Sequence, residues 1–277
     1  VRLRPFARHG GTRVRGKLGR YALGGFAGLV LLYLFIPIAV MVIFSFNEPK
    51  GTKNYEWNRF SLDAWADPFK YPELRDAFFR SLLVGLIATV LALIMGTALA
   101  LSLVKYRFRG KGFLNILIVM PLTMPEIVLG FSLLQLFVFA DYRRGFVTIV
   151  IAHVMFCVSY VATTVKARVR GFEWRLEEAA ADLGARPWRT FRRVTFPIIA
   201  PGVFAAGLLT FALSLDDFTI TYLNAGNVRT FPVEVWTSKR SRVPPQINVL
   251  GTMILLAAAV ISIGAILGGQ RRRRALA

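Results

Sequence analysis

The sequence predicts an all-α, polytopic membrane protein with six transmembrane helices. Hydrophobic residues make up 55% of the chain and its mean hydropathy is +0.54, whereas soluble domains use roughly 45–50% apolar residues. The chain also contains six predominantly apolar runs that are long enough to cross a hydrocarbon core about 30 Å thick, which takes about 20 residues. These runs lie near residues 21–46, 78–104, 113–139, 145–165, 196–223 and 246–269.

The first run follows a basic segment, residues 1–20, and continues to residue 46 without a small-x-small cleavage site. It is about twice as long as the apolar core of a secretory signal peptide. We therefore predict that residues 21–46 are a retained membrane anchor and that residues 1–20 are a basic cytoplasmic tail able to contact membrane lipids. Residues 47–77 then form an extracytoplasmic loop with room for short interfacial helices.

The positions of the lysines and arginines predict the orientation of the chain. Four segments hold 23 of the 35 basic residues but only four acidic ones; they are residues 1–20, 105–111, 166–193 and 271–274. Cytoplasmic loops retain positive charge, so we expect both termini, including the tail at 270–277, in the cytoplasm. The net charge of +20 thus reflects membrane-flanking positions and does not indicate a nucleic-acid-binding domain.

The third run contains two prolines, Pro121 and Pro125. Each proline disfavours helical geometry at the preceding residue, so we predict a bent or interrupted helix. Such breaks are tolerated at membrane depth where they are buried in protein or line a wet cavity. Glu126 follows at once, and a charged residue at a helix centre costs about 2.5–3.5 kcal/mol on insertion scales. Its carboxylate is therefore expected to face the bundle interior or a path.

The segment between the fourth and fifth runs carries the most informative motif. It reads Glu-Ala-Ala from Glu178, three further residues, Gly184, nine residues, and then Val194-Thr-Phe-Pro197. This pattern resembles the EAA loop of ABC importer permeases, which has Ile and Leu where this chain has Val194 and Phe196. Pro197 is expected to open the fifth run, where a missing N–H costs little.

The residues around this motif also favour a docking helix. Residues 173–183 are rich in helix formers, with acidic residues in the first turn, where the helix dipole favours them. Gly184 can adopt the left-handed geometry that ends a helix. In the resembled family this short helix inserts into a groove on the ATP-binding subunit. The resemblance implies this ATPase-coupling role for Glu178, Ala179, Ala180 and Gly184.

The resemblance further implies the type I importer permease (MetI-like) fold, with residues 78–269 as a five-helix core and residues 171–197 as the coupling loop. The chain has no Gly-x4-Gly-Lys-Ser/Thr phosphate loop, so we predict that it is not itself an ATPase. We assign it no catalytic residue, cofactor or metal; the resemblance implies that a partner ATPase uses ATP and Mg. The implied location is the bacterial cytoplasmic membrane.

Four further stretches narrow the resemblance to the permease subunits of spermidine and putrescine importers over nearly the whole chain. They are Tyr106–Lys111, Met124–Val128, Leu213–Asp217 and Pro244–Leu250. The implied partners are a dimer of ABC ATP-binding subunits, an extracytoplasmic substrate-binding protein and a second similar permease. A heterodimer is what the family implies, and a homodimer stays open, as does another small solute.

A polyamine path needs carboxylates for charge and aromatic faces for cation–π contact. Asp216 and Asp217 lie late in the fifth run, and adjacent helical residues point about 100° apart, so we expect at most one of them to face the lumen directly. The resemblance makes both of them, with Ser214 and Glu126, candidates for the substrate path. Trp65 is a candidate for substrate access or receptor contact.

Two other classes of protein fit the sequence less well. An ion-coupled secondary transporter also uses intramembrane ionisable residues, but it has no reason to carry the EAA spacing. An intramembrane hydrolase needs a nucleophile and a base or metal ligands, whereas this chain has two histidines, His9 and His153, and one cysteine, Cys157. We interpret His153 as a hydrogen-bonded packing residue, with a proton relay as the alternative.

Overall fold

The structure is a computed structural model that describes the backbone of residues 13–274 and the side chains of residues 21–264. The predicted basic tails, residues 1–20 and 270–277, lie outside the residues with described side chains. Helices dominate the described part. The elements are α1 (Arg13–Phe44), β1 (Asn47–Glu48), β2 (Arg59–Phe60), α2 (Asp63–Ala66), α3 (Pro72–Lys105), α4 (Lys111–Thr123), α5 (Glu126–Phe139), α6 (Phe146–Val169), α7 (Arg175–Asp182), α8 (Pro187–Thr190), a π-helical turn (Phe191–Thr195), α9 (Phe196–Asp216), α10 (Thr219–Asn224), α11 (Phe231–Ser238) and α12 (Gln246–Arg274).

Five helical stretches in the described residues are long and apolar enough to cross a membrane, and the pair α4–α5 makes a sixth if its halves form one broken span. The axes of α4 and α5 meet at 110°. The chain between them is extended at Met124, with φ −79° and ψ 140°, as expected for a residue that precedes a proline. The predicted interruption of the third run is therefore confirmed.

The fifth run differs from its prediction at both ends. Helical backbone begins at Pro187, so Pro197 lies inside a continuous stretch and does not open it. The π-helical turn comes just before Pro197, which has no N–H to donate to the helix. At the other end α9 stops at Asp216, because Asp217 is extended, and α10 starts separately at Thr219. Because the run stays apolar past this break, its composition did not predict where α9 ends.

The described chain divides into two compact units. The smaller unit comprises the residues up to Pro68 and those from Pro244 onward. In it α1 packs against α12, where a Cβ added at Gly251 would lie 2.9 Å from Met41 Sδ. The strands β1 and β2 pair antiparallel. The short helix α2 agrees with the short helices predicted for the outer loop, whereas the two strands were not predicted.

The larger unit, Phe69–Val243, is built around α3, α6 and α9. Small residues line the contact between α3 and α6, and Ala92 and Ala100 are fully buried. Small side chains let helix backbones approach closely in a membrane, where packing replaces the hydrophobic effect as the main attraction between helices. In the same unit α4 packs on α6, α10 packs on α5, and α11 packs on α3.

Candidate functional site

One cavity of about 300 Å³ in the larger unit brings together three of the predicted path residues, Glu126, Asp216 and Asp217. Three aromatic side chains also line it, those of Phe156, Tyr160 and Phe218. The remaining lining residues are Pro121, Leu122, Met124, Leu129, Leu213, Thr219 and Ile220. Carboxylates and aromatic rings therefore share one cavity, as a path for an organic cation requires.

The two helix breaks explain why these carboxylates lie together. Glu126 is the first residue of α5, directly after the break at Pro125, and Asp216 is the last residue of α9. Both residues are exposed in this chain, and neither forms an ion pair within the described residues. They are therefore accessible to a ligand in the cavity.

The carboxylate of Asp217 is bound to its own chain, although part of the residue lines the same cavity. It accepts hydrogen bonds from the backbone N–H of Ile220 at 3.2 Å and of Thr221 at 2.8 Å, and from Thr221 Oγ1 at 2.7 Å. These are free donors in the first turn of α10, which a side-chain oxygen can satisfy. The Asp217 side chain is 4% exposed. It thus holds the break between α9 and α10.

His153 of α6 completes this buried cluster and is 1% exposed. Its Nδ1 lies 2.6 Å from Ser214 Oγ, and its Nε2 lies 2.8 Å from Thr221 Oγ1 and 3.3 Å from Asp217 Oδ2. His153 is therefore buried and hydrogen-bonded, as its interpretation as a packing residue predicts. Ser214, a predicted path residue, is buried against His153 and is not among the residues that line the cavity.

Sequence reasoning missed Thr221, Tyr160 and Phe218. The signal for Thr221 was its position four residues after Asp217, which becomes informative only once a helix is known to start between them. Tyr160 and Phe218 resembled ordinary apolar positions, and only the packing of α6 against α9 and α10 places them at the cavity.

We predict that Asp217→Ala destabilises the larger unit. The change leaves the first-turn donors of α10 without their acceptor, and each buried unsatisfied group costs about 1–3 kcal/mol. Thermal unfolding of the detergent-solubilised transporter should show a lower midpoint than for the native chain. Asp76→Ala, on an exposed surface pair with Arg75, is the control and should change little. Equal midpoints for the two variants would contradict the structural role of Asp217.

Trp65 lies in the smaller unit. Its ring stacks on Phe46 at 5.4 Å, and its indole N–H donates to Ser45 Oγ at 3.1 Å. These contacts give Trp65 a packing role in the outer loop. Its role in substrate access or receptor contact stays a prediction.

The coupling loop has the local structure that its residues predicted. α7 ends at Asp182, and Gly184 follows with φ +79°. The Gly184 N–H donates to Ala181 O at 2.8 Å and the Ala185 N–H donates to Ala180 O at 3.0 Å. This pair of hydrogen bonds defines a Schellman cap, so the predicted left-handed helix end is confirmed.

The two faces of α7 differ in their contacts. On one face Glu177 pairs with Lys105 and accepts a hydrogen bond from Thr195 Oγ1 at 2.5 Å. On the other side of the helix Glu178 and Ala179 are exposed. Just beyond the helix Leu183 and Trp188 are 89% and 70% exposed; the apolar side chains at the end of the loop therefore remain uncovered in this chain.

Solved structures with this fold include a chain of a bacterial ABC transporter that imports the acidic polysaccharide alginate. It superposes with a TM-score of 0.63 at 14% identity and covers 94% of this chain and 99% of its own length. A chain of an amino acid ABC transporter gives a TM-score of 0.57 at 16% identity over 77% of this chain and 100% of that one. The fold is that of an ABC importer permease.

Sequence comparison defines the family. Residues 80–272 match the family described as binding-protein-dependent transport system inner membrane component, and this chain belongs to that family. It is 32% identical over 247 residues to the spermidine/putrescine transport system permease protein PotC of Escherichia coli K12, covering 89% of this chain and 93% of that protein. It is 37% identical over 237 residues to the putrescine transport system permease protein PotI of the same strain, covering 83% and 84%.

These findings confirm the predicted resemblance to polyamine importer permeases. The chain is a multi-pass membrane component of a transport system, and its family is described as an inner membrane component.

Proposed function

We propose that this chain is a permease subunit that carries polyamines, spermidine or putrescine, through the membrane in an ATP-driven importer. The observation that supports this most directly is the cavity in which the accessible carboxylates of Glu126 and Asp216 adjoin aromatic rings. The two relatives described above are permeases whose names specify spermidine and putrescine transport. The proposed path is completed by a second, similar permease.

The chemistry of the cavity suits a flexible chain of methylenes that carries several ammonium groups. Glu126 and Asp216 offer charge, and the faces of Tyr160 and Phe218 offer cation–π contact to an ammonium or its adjacent methylenes. Asp217 contributes negative charge to the same cavity while its oxygens hold α10. Ser214 does not contact the substrate directly in this proposal; it contacts His153 instead. Trp65 is retained as a candidate contact on the outer side.

Orientation and partners follow from the same proposal. Both termini and the coupling loop face the cytoplasm of a bacterial cell, and an extracytoplasmic binding protein delivers substrate to the other side. A dimer of ATP-binding subunits uses ATP and Mg. The exposed face that includes Glu178, Ala179 and Leu183 docks in a groove of that partner, Ala180 permits close approach, and the left-handed residue Gly184 ends the docking helix. ATP-driven closure of the two ATP-binding subunits then moves the docking helix, and the transmembrane bundle alternates between outward-open and inward-open states.

The test is uptake of labelled spermidine and putrescine by cells that express the complete transporter. In Asp216→Asn we expect uptake to fall at least about tenfold, equivalent to roughly 1.4 kcal/mol of lost interaction with the cation. Membrane levels and basal ATP hydrolysis should stay native, because Asp216 forms no ion pair among the described residues.

Asp76→Asn is the matched control for this experiment, since it removes one carboxylate from an exposed site away from the cavity. It should transport at nearly the native rate. A native complex that takes up neither polyamine would overturn the substrate assignment, and native uptake by Asp216→Asn would remove Asp216 from the path.

A further inference from the structure

The docking helix α7 is joined to the rest of the larger unit by a small set of polar contacts. Glu177 is the residue at their centre. Its Oε2 pairs with Lys105 Nζ, from the last turn of α3, and its Oε1 accepts from Thr195 Oγ1, in the π-helical turn before α9. One carboxylate therefore connects α7 both to α3, which is distant in sequence, and to the π-helical turn that leads into α9.

Glu177 lies beside a gap in the packing of α7. A cavity of about 360 Å³ lies against α7, and Ala181, Ala185, Phe191 and Leu101 contribute to its lining. The helix is thus incompletely packed against α3 and the π-helical turn. Among the described residues, the side-chain hydrogen bonds that connect α7 to other elements across this space are those of Glu177.

Glu177 is also shielded from solvent more than its partner is. Its side chain is 16% exposed, compared with 37% for Lys105. The Lys105 ammonium lies 5.5 Å from the ring centroid of Trp174, the residue that precedes α7. Because the Glu177 carboxylate is partly shielded and accepts from two partners, its position is better defined than that of a carboxylate in an exposed surface ion pair. Such an exposed pair contributes about 0–1 kcal/mol to stability.

The neighbouring Glu178 contrasts with Glu177. It begins the EAA motif, yet it is exposed and forms no ion pair among the described residues. The two adjacent glutamates therefore face different surroundings, since successive helical residues point about 100° apart. Glu178 lies on the side available to a partner, and Glu177 lies on the side that contacts the bundle.

We propose that Glu177 is a positioning residue that transmits movement of the docking helix α7 to α3 and α9 through its bonds to Lys105 and Thr195. This inference rests on the proposed function, because it requires an ATP-hydrolysing partner that moves α7. A pull on α7 reaches α3 through the ion pair and α9 through the hydroxyl of Thr195. The adjoining cavity leaves room for side chains to shift during that movement.

The experiment is a charge exchange in the complete transporter, reconstituted in lipid vesicles with its binding protein and ATP-binding subunit. Glu177→Lys and Lys105→Glu, made separately, place like charges together. Each should lower uptake and the binding-protein stimulation of ATP hydrolysis at least about fivefold, the lower end of typical coupling between sites. Co-purification of the ATP-binding subunit should remain native, because the docking face is unchanged.

The double exchange, Glu177→Lys with Lys105→Glu, restores opposite charges and should recover at least half of both activities. A lysine at position 177 can still donate to Thr195 Oγ1. Glu173→Lys, a change of the same charge at an exposed residue of the same loop, is the matched control and should leave stimulation close to native.

Three outcomes would overturn the inference. They are single exchanges that behave like Glu173→Lys, single exchanges that release the ATP-binding subunit, and a double exchange that stays as inactive as the singles. Failure of the proposed function is distinguishable, because the native complex itself would then show no polyamine uptake or no ATP hydrolysis.

Discussion

Replacing Gly96 with valine is expected to reduce strongly the amount of folded protein in the membrane. Gly96 lies on α3, where a Cβ would meet Val161 Cβ and Cγ1 at 2.7 Å and the backbone N of Ala162 at 3.0 Å. Val161 and Ala162 are fully buried, so neither can move aside without shifting α6. Overpacking of this kind costs typically about 1–3 kcal/mol or more, and valine adds two further methyl groups beyond the Cβ.

The measurement is the amount of monodisperse protein recovered from membranes in mild detergent. Gly112→Val is the matched control, because a Cβ at Gly112 has no neighbour within 4 Å. We expect native recovery for that variant. Similar recovery of the two variants would mean that α3 and α6 do not approach as closely as described.

Replacing Leu183 with aspartate is expected to abolish transport by preventing assembly with the ATP-binding subunit. Leu183 is 89% exposed at the end of α7, on the face that we propose to dock with that subunit. An aspartate buried in that interface would lose its hydration, and burying an unpaired charge is strongly unfavourable. The variant chain should still reach the membrane, because Leu183 is not part of its buried core.

Co-purification of the tagged chain with its ATP-binding subunit measures this effect, with uptake as the second measurement. Leu183→Met keeps an apolar side chain of similar volume and should assemble normally. Normal assembly of Leu183→Asp would place the docking contact elsewhere on the loop, with Trp188, 70% exposed, as the next residue to change.

The features that were predictable from sequence are those decided by neighbours along the chain. Pro121 and Pro125 restrict the backbone beside them, so the interruption of the third span was predictable. Gly184 follows a run of helix formers and adopts a left-handed conformation for the same kind of local reason. The end of α9 was not predictable, because it depends on hydrogen bonds between Asp217 and residues that only become a helix start after the break.

The division of roles within pairs of adjacent acids required the tertiary structure. Asp216 and Asp217 are equivalent in composition, but only Asp217 lies beside His153, from a helix more than 60 residues away. Glu177 and Glu178 are likewise adjacent, but only Glu177 pairs with Lys105, which lies 72 residues earlier in the chain. In each pair a partner on a distant helix decides which carboxylate is bound and which stays accessible.

The sequence by itself determined the membrane class, the six apolar runs, the broken third span, the glycine cap of α7 and the family. Hydrophobicity and backbone restriction act over a few residues, so they can be interpreted without knowing what packs where. Only the tertiary structure decided which carboxylates are accessible and which residue joins α7 to the bundle. Those outcomes depend on the rotation and spacing of helices that are far apart in the chain, and no local pattern encodes them.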